Sequence, residues 1–159
     1  MAETPASLTP EGLGPLLGFV ATLDLGQPAD AEAALNERWP VDGPYVQGLR
    51  ALMEAGVADG SLCGRGAPPV RWSRAFKASD ASANLSADAV FMSGPGPRHE
   101  HPQGEVDLCF ATDGAPTFDG RPPGWVVYPP GSVHVPTVAG GEMLILYLLP
   151  AGAIRFLQG

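Results

Sequence analysis

The 159-residue chain is short of charge, with Asp, Glu, Lys and Arg making up 16% of it against about 25% in an average globular protein. A surface so lightly charged predicts self-association, in the simplest case as a homodimer. Basic residues are the scarcer sign, nine Lys and Arg against seventeen Asp and Glu, for a formal charge of -8. That balance excludes a protein that holds a phosphate backbone by counterion release, so no nucleic-acid partner is expected. No apolar run approaches the roughly 20 residues of a membrane span, and Met1 to Leu8 lacks a basic region followed by an apolar one. A cytoplasmic location and no membrane partner are therefore expected. Cys63 and Cys109 stand alone without a CxxC spacing, which predicts two reduced, buried thiols. Internal repeats are absent as well.

Glycine and proline are abundant instead, 21 and 18 residues, interleaved with apolar runs in a chain that is 45% hydrophobic. This texture predicts one compact domain rich in turns. Charge divides it unevenly: residues 1 to 64 hold nine acids and two bases, net -7, and residues 65 to 159 hold eight acids and seven bases, net -1. The first segment reads as helical. Thr9 can cap a helix over residues 9 to 25, Asp30 one reaching Trp39, and Asp42 one carrying Val46, Leu49, Leu52 and Met53 on a single stripe. From residue 65 short runs of β-formers follow, Val70 to Phe76, Ala89 to Ser93, Val106 to Ala111, Trp125 to Tyr128 and Met143 to Leu149. They predict an antiparallel sandwich or small barrel, with Asp113-Gly114 and Asp119-Gly120 as tight turns. A helical segment over 1–64 followed by a β domain over 65–159 is the expected organisation.

All three histidines fall in the β segment, at positions 99, 101 and 134. His99 and His101, two apart on a strand, point to one face, and Glu105 has the same parity. With His134 delivered by the turn Pro129-Pro130-Gly131, they make a first shell for one divalent transition metal with positions left open. Mixed nitrogen and oxygen ligation suits iron, manganese, nickel, zinc or cobalt.

The spacing HxHxxxE at His99, His101 and Glu105, followed by PxGxxH ending at His134, resembles the two motifs of the cupin superfamily. Val138 stands where an asparagine is usual, a departure that touches turn geometry more than ligation. The resemblance implies a mainly β, jelly-roll barrel with the ligands inside its mouth. Over nearly the whole chain, the leader Leu35 to Pro40, the block Arg98 to Asp107, the run Gly124 to Ser132 and the tail Leu146 to Ile154 look like the bacterial 4-hydroxylaminobenzoate lyase family. That likeness implies an enzyme of nitrobenzoate breakdown, turning 4-hydroxylaminobenzoate and water into 3,4-dihydroxybenzoate and ammonia without external oxidant or reductant.

Such chemistry asks for a Lewis-acid metal, a proton carrier and a cation for the ring carboxylate. Asp107, inward by parity with Glu105, is the candidate acid or base, or else a carboxylate supporting a ligand histidine. Tyr128 is a second catalytic candidate, and Tyr147 a weaker one. For the small aromatic carboxylate, Arg98, Arg121 and Trp125 are the binding candidates, with Arg71, Arg74 and Lys77 as further cations; parity sets Arg98 on the face opposite His99. Two other readings stand beside the lyase: an iron-dependent cupin dioxygenase, and a non-catalytic small-ligand sensor.

Overall fold

A computed structural model describes residues 4–157. Three helices come first, α1 (Gly14–Val20), α2 (Pro28–Arg38) and α3 (Pro44–Asp59). Each has a proline at its first or second position, where the missing N–H costs nothing and the fixed φ suits a helix. Proline therefore sets the helix starts more than the expected caps do. Thr9 closes only a preceding turn, its Oγ1 accepting from Gly12 N at 2.9 Å, and α2 begins two residues before Asp30. Gly43 takes the capping position expected for Asp42, and Gly60, at φ 86, ends α3 in the left-handed region.

Nine strands follow: β1 (Arg65–Ala67), β2 (Val70–Phe76), β3 (Leu85–Met92), β4 (His99–His101), β5 (Glu105–Phe118), β6 (Gly124–Tyr128), β7 (Ser132–His134), β8 (Val138–Pro150) and β9 (Arg155–Phe156). They pair into an antiparallel six-stranded sheet, ordered β1-β2-β3-β8-β5-β6, and a three-stranded sheet, β7-β4-β9. The protein is mainly β, a jelly roll with a helical layer outside it. Asp119-Gly120 forms the expected turn, with φ of 50° and 79° and Phe118 bridged to Arg121, but Asp113-Gly114 does not. Those two lie inside β5, where register shifts on either side bend the strand against β8.

The large sheet is covered on both faces, which is why Met143–Leu149 is almost continuously apolar. Alternate residues on one face, among them Val106, Leu108 and Phe110 of β5 and Leu144, Leu146 and Leu148 of β8, share one core with Leu16, Leu35, Leu49 and Met53 of the helices. Val90, Met92, Cys109, Ile145 and Tyr147 face the other way, toward the small sheet. Among the described residues no helix is long and apolar enough to cross a membrane.

Polar contacts fix the helical layer to the edge strand β6. Glu32 of α2 accepts from Val127 N at 2.9 Å, an N–H that the sheet edge leaves without a strand partner, and pairs with Arg121 at 2.6 Å. Trp125 donates its indole N–H to Trp39 O at 2.9 Å.

Candidate metal centre

The small sheet supplies the histidines. β4 and β7 pair antiparallel with His99 opposite His134, and Glu100 opposite Val133 on the outer side. Gly131, at φ 82, makes the turn before β7 and donates its N–H to His101 O at 2.8 Å. Glu105, expected on the same face by parity, does not share the strand of His99 and His101. A turn ending in Gly104, at φ 87, ends β4 and carries the chain to the large sheet, so Glu105 opens β5 and faces the histidines from across the barrel. A side chain at Gly104 would strike Tyr128 O at 2.9 Å, so this crossing requires glycine.

The three imidazole Nε2 atoms form a triangle, 3.0 Å on every side. Their outer nitrogens settle two of the tautomers. His99 Nδ1 faces the Pro97 carbonyl at 3.1 Å and His134 Nδ1 faces Asp119 Oδ2 at 2.6 Å, so both Nδ1 atoms carry the proton and both Nε2 atoms present bare lone pairs. Lone pairs aimed at one point repel unless a cation stands there. Three imidazole nitrogens converging this closely are the arrangement in which one cation could be shared. Glu105 Oε1 lies 3.2 Å from His101 Nε2, and both its oxygens are buried without a hydrogen-bond donor. The donor set thus fits a divalent metal, and the three histidines form a group able to hold one.

Electrostatics keep these ligands ready. Burial pushes His99 down to about 4 and His101 down to about 3, with neighbouring imidazoles adding to the shift, so both are neutral at pH 7. Burial likewise lifts Glu105 to about 7. Asp107 is raised well above its usual range by burial and then by Glu105 beside it. These two carboxyls are fully buried side by side with no hydrogen-bond partner among the described residues, and Asp107, the more strongly raised, is the one that keeps the proton.

Asp119 is the residue that sequence reasoning missed. Its Oδ2 also accepts from Tyr128 Oη at 2.5 Å, and its Oδ1 from Thr137 N at 2.8 Å. Burial works against its charge, but the bonds from His134, Tyr128 and Thr137 hold its carboxyl below the usual range. It supports a ligand histidine in the way considered for Asp107, which touches none of the three. An Asp-Gly pair signals a turn first, and this turn also aims the carboxylate inward.

A cavity of 680 Å³ opens beside His99. Tyr147 lines it, 5% exposed, and the partner of its hydroxyl is the Met92 thioether at 3.8 Å. Tyr128, by contrast, is committed to Asp119. The expected substrate-binding residues are not gathered at the cavity. Arg98 is exposed just before β4; Arg121 is drawn to Glu32; Trp125 lies on the helix-facing side of β6, because odd positions there point away from Tyr128. Parity told which residues share a face, and the helical layer took the face that Trp125 is on.

The model of the family described as "PnbB: 4-hydroxylaminobenzoate lyase" matches residues 15–156. The chain is 28% identical over 165 aligned positions to a 4-hydroxylaminobenzoate lyase of Pseudomonas putida, covering 92% of this chain and 94% of that one. A 4-hydroxylaminobenzoate lyase of Nocardioides sp. (strain LMS-CY) is 29% identical over 164 positions, covering 97% and 95%. Among solved structures, the DMSP lyase DddQ from Ruegeria pomeroyi DSS-3 aligns with a TM-score of 0.47 at 24% identity, covering 79% of this chain and 75% of that one.

Proposed function

The chain belongs to the 4-hydroxylaminobenzoate lyase family, a family of cupin enzymes, and from that premise we propose that it converts 4-hydroxylaminobenzoate and water to 3,4-dihydroxybenzoate and ammonia. The observation that carries the reading is the triangle of three imidazole Nε2 atoms, with Glu105 against it, beside a cavity that His99 lines. His99, His101, His134 and Glu105 are the residues we assign to one divalent metal. Bound there, the ion supplies Lewis acidity toward the hydroxylamine oxygen and a water of lowered pKa.

The chain's own groups do the rest. Tyr147, kept protonated by burial and by the carboxylates near it, is placed to give a proton to an oxygen leaving the substrate nitrogen. Asp107 is outside the cavity lining and acts through Glu105: by staying protonated itself it leaves the Glu105 carboxylate charged and free to ligate. Asp119 fixes the ring of His134 and its tautomer. Tyr128 holds Asp119 in place from the other side.

The test is turnover of 4-hydroxylaminobenzoate by metal-loaded protein in a sealed anaerobic vessel. Ammonia and 3,4-dihydroxybenzoate should appear in equal amounts, and chelation should abolish both. A strict requirement for oxygen would overturn the lyase reading in favour of a dioxygenase.

A further inference from the structure

The aromatic substrate proposed above carries a carboxylate into a chain of net charge -8, so some local cation must receive it. Two arginines line the cavity beside His99, Arg65 and Arg74. Arg74 is already neutralised, its Nε and Nη2 held at 2.8 and 3.2 Å by the two oxygens of Asp88. Arg65 has no carboxylate partner among the described residues. On β1 it stands directly opposite Trp72 of β2, so both side chains leave the sheet on the same face, and its guanidinium lies 5.3 Å from the centre of the indole ring. Trp72 in turn stands opposite Val90, whose face of the sheet is the one Tyr147 shares. Trp72 is 41% exposed, and with the guanidinium of Arg65 over its ring it lines the edge of a largely apolar cavity.

We propose that Arg65, laid on Trp72, is the specificity-determining residue that grips the carboxylate of the aromatic substrate, a role that rests on the lyase reading for the identity of that substrate. A planar guanidinium takes a carboxylate through two parallel hydrogen bonds, and the indole ring beneath Arg65 narrows where that guanidinium can go. The far end of a para-substituted ring then points inward, toward His99 and Tyr147. Val90, Met92 and Phe156 supply apolar contact for the ring between the two ends.

The experiment compares Arg65→Met with the unmodified, metal-loaded chain. Loss of a charge-assisted pair should raise KM for 4-hydroxylaminobenzoate about 10 to 100-fold while kcat changes little, and leave kcat/KM for N-phenylhydroxylamine, which has no carboxylate, unaltered. Arg65→Lys should recover part of the loss. Binding of 4-hydroxybenzoate, followed by tryptophan fluorescence, should weaken by a similar factor in Arg65→Met. Unchanged KM and unchanged 4-hydroxybenzoate binding in an active Arg65→Met variant would overturn the role of Arg65 and leave the lyase reading standing. Arg65-dependent binding of 4-hydroxybenzoate by a chain that releases no ammonia would uphold Arg65 and overturn the lyase.

Discussion

Asp119 serves three donors at once, and its removal tests how far a supporting carboxylate governs a metal site. Asp119→Asn should lower metal affinity by about 10 to 100-fold, measured by competition with a chelator, without unfolding the chain. Asp107→Asn makes a different case, since a neutral amide replaces a carboxyl that already holds a proton. Metal content should be kept, and the pH dependence of stability should change. In the metal-free protein Asp107 and Glu105 bind protons in the folded state that they release on unfolding, because their folded values lie above the usual carboxylate range. Stability should therefore fall as pH rises above about 6.5, through the folded value of about 7 for Glu105, a window above the point where unfolded histidines take up protons. Thermal melts in chelator should show this fall, and Asp107→Asn should flatten it; a Tm that rises across the window in both proteins would contradict the assignment of the proton. Tyr147→Phe should cost roughly 10² to 10⁴ in kcat with metal content intact, the pattern of a lost proton donor. Equal effects on metal and rate would mean a structural role instead.

At the scale of elements, the distance between what was legible and what was not follows from parity. His99 and His101 could be placed on one face because a strand alternates strictly, and the structure brings their rings together. Glu105 reaches the same cluster by a route that parity did not describe, across a glycine turn into the other sheet. Trp125 and Arg121 show the opposite failure. Alternation cannot say which face of a strand another layer will claim, and α2 claims the side of Trp125 while Glu32, 89 residues before Arg121, captures its guanidinium. Asp113-Gly114 read as a turn because the dipeptide is locally a turn signal, but pairing with the long β8 overrides it. The clasp between α2 and β6 gives its own prediction. Glu32→Ala leaves Val127 N without its acceptor and Arg121 without its partner, so stability should drop by about 1 to 3 kcal/mol in a denaturant titration while metal content stays the same. A neutral change in stability would show the clasp to be incidental.

For the molecule as a whole, the two faces of the large sheet divide the work: one is packed under helices, the other turned to the small sheet, the histidines and the cavity. The acidic leader is thus bound into the same core as the barrel. We propose residues 1–64 and 65–159 as two segments of one folding unit, since Leu16, Leu35 and Leu49 are fully buried only where the sheet covers them. A jelly roll with a metal in its mouth serves oxidation and elimination alike, and the source of the product's two ring oxygens separates them. The measurement is anaerobic turnover of 4-hydroxylaminobenzoate in water enriched in oxygen-18, with mass analysis of the product. A lyase should give 3,4-dihydroxybenzoate carrying label from water, with one ammonia per product formed. Product that appears only when oxygen gas is admitted, with its label drawn from that gas, would contradict the lyase reading.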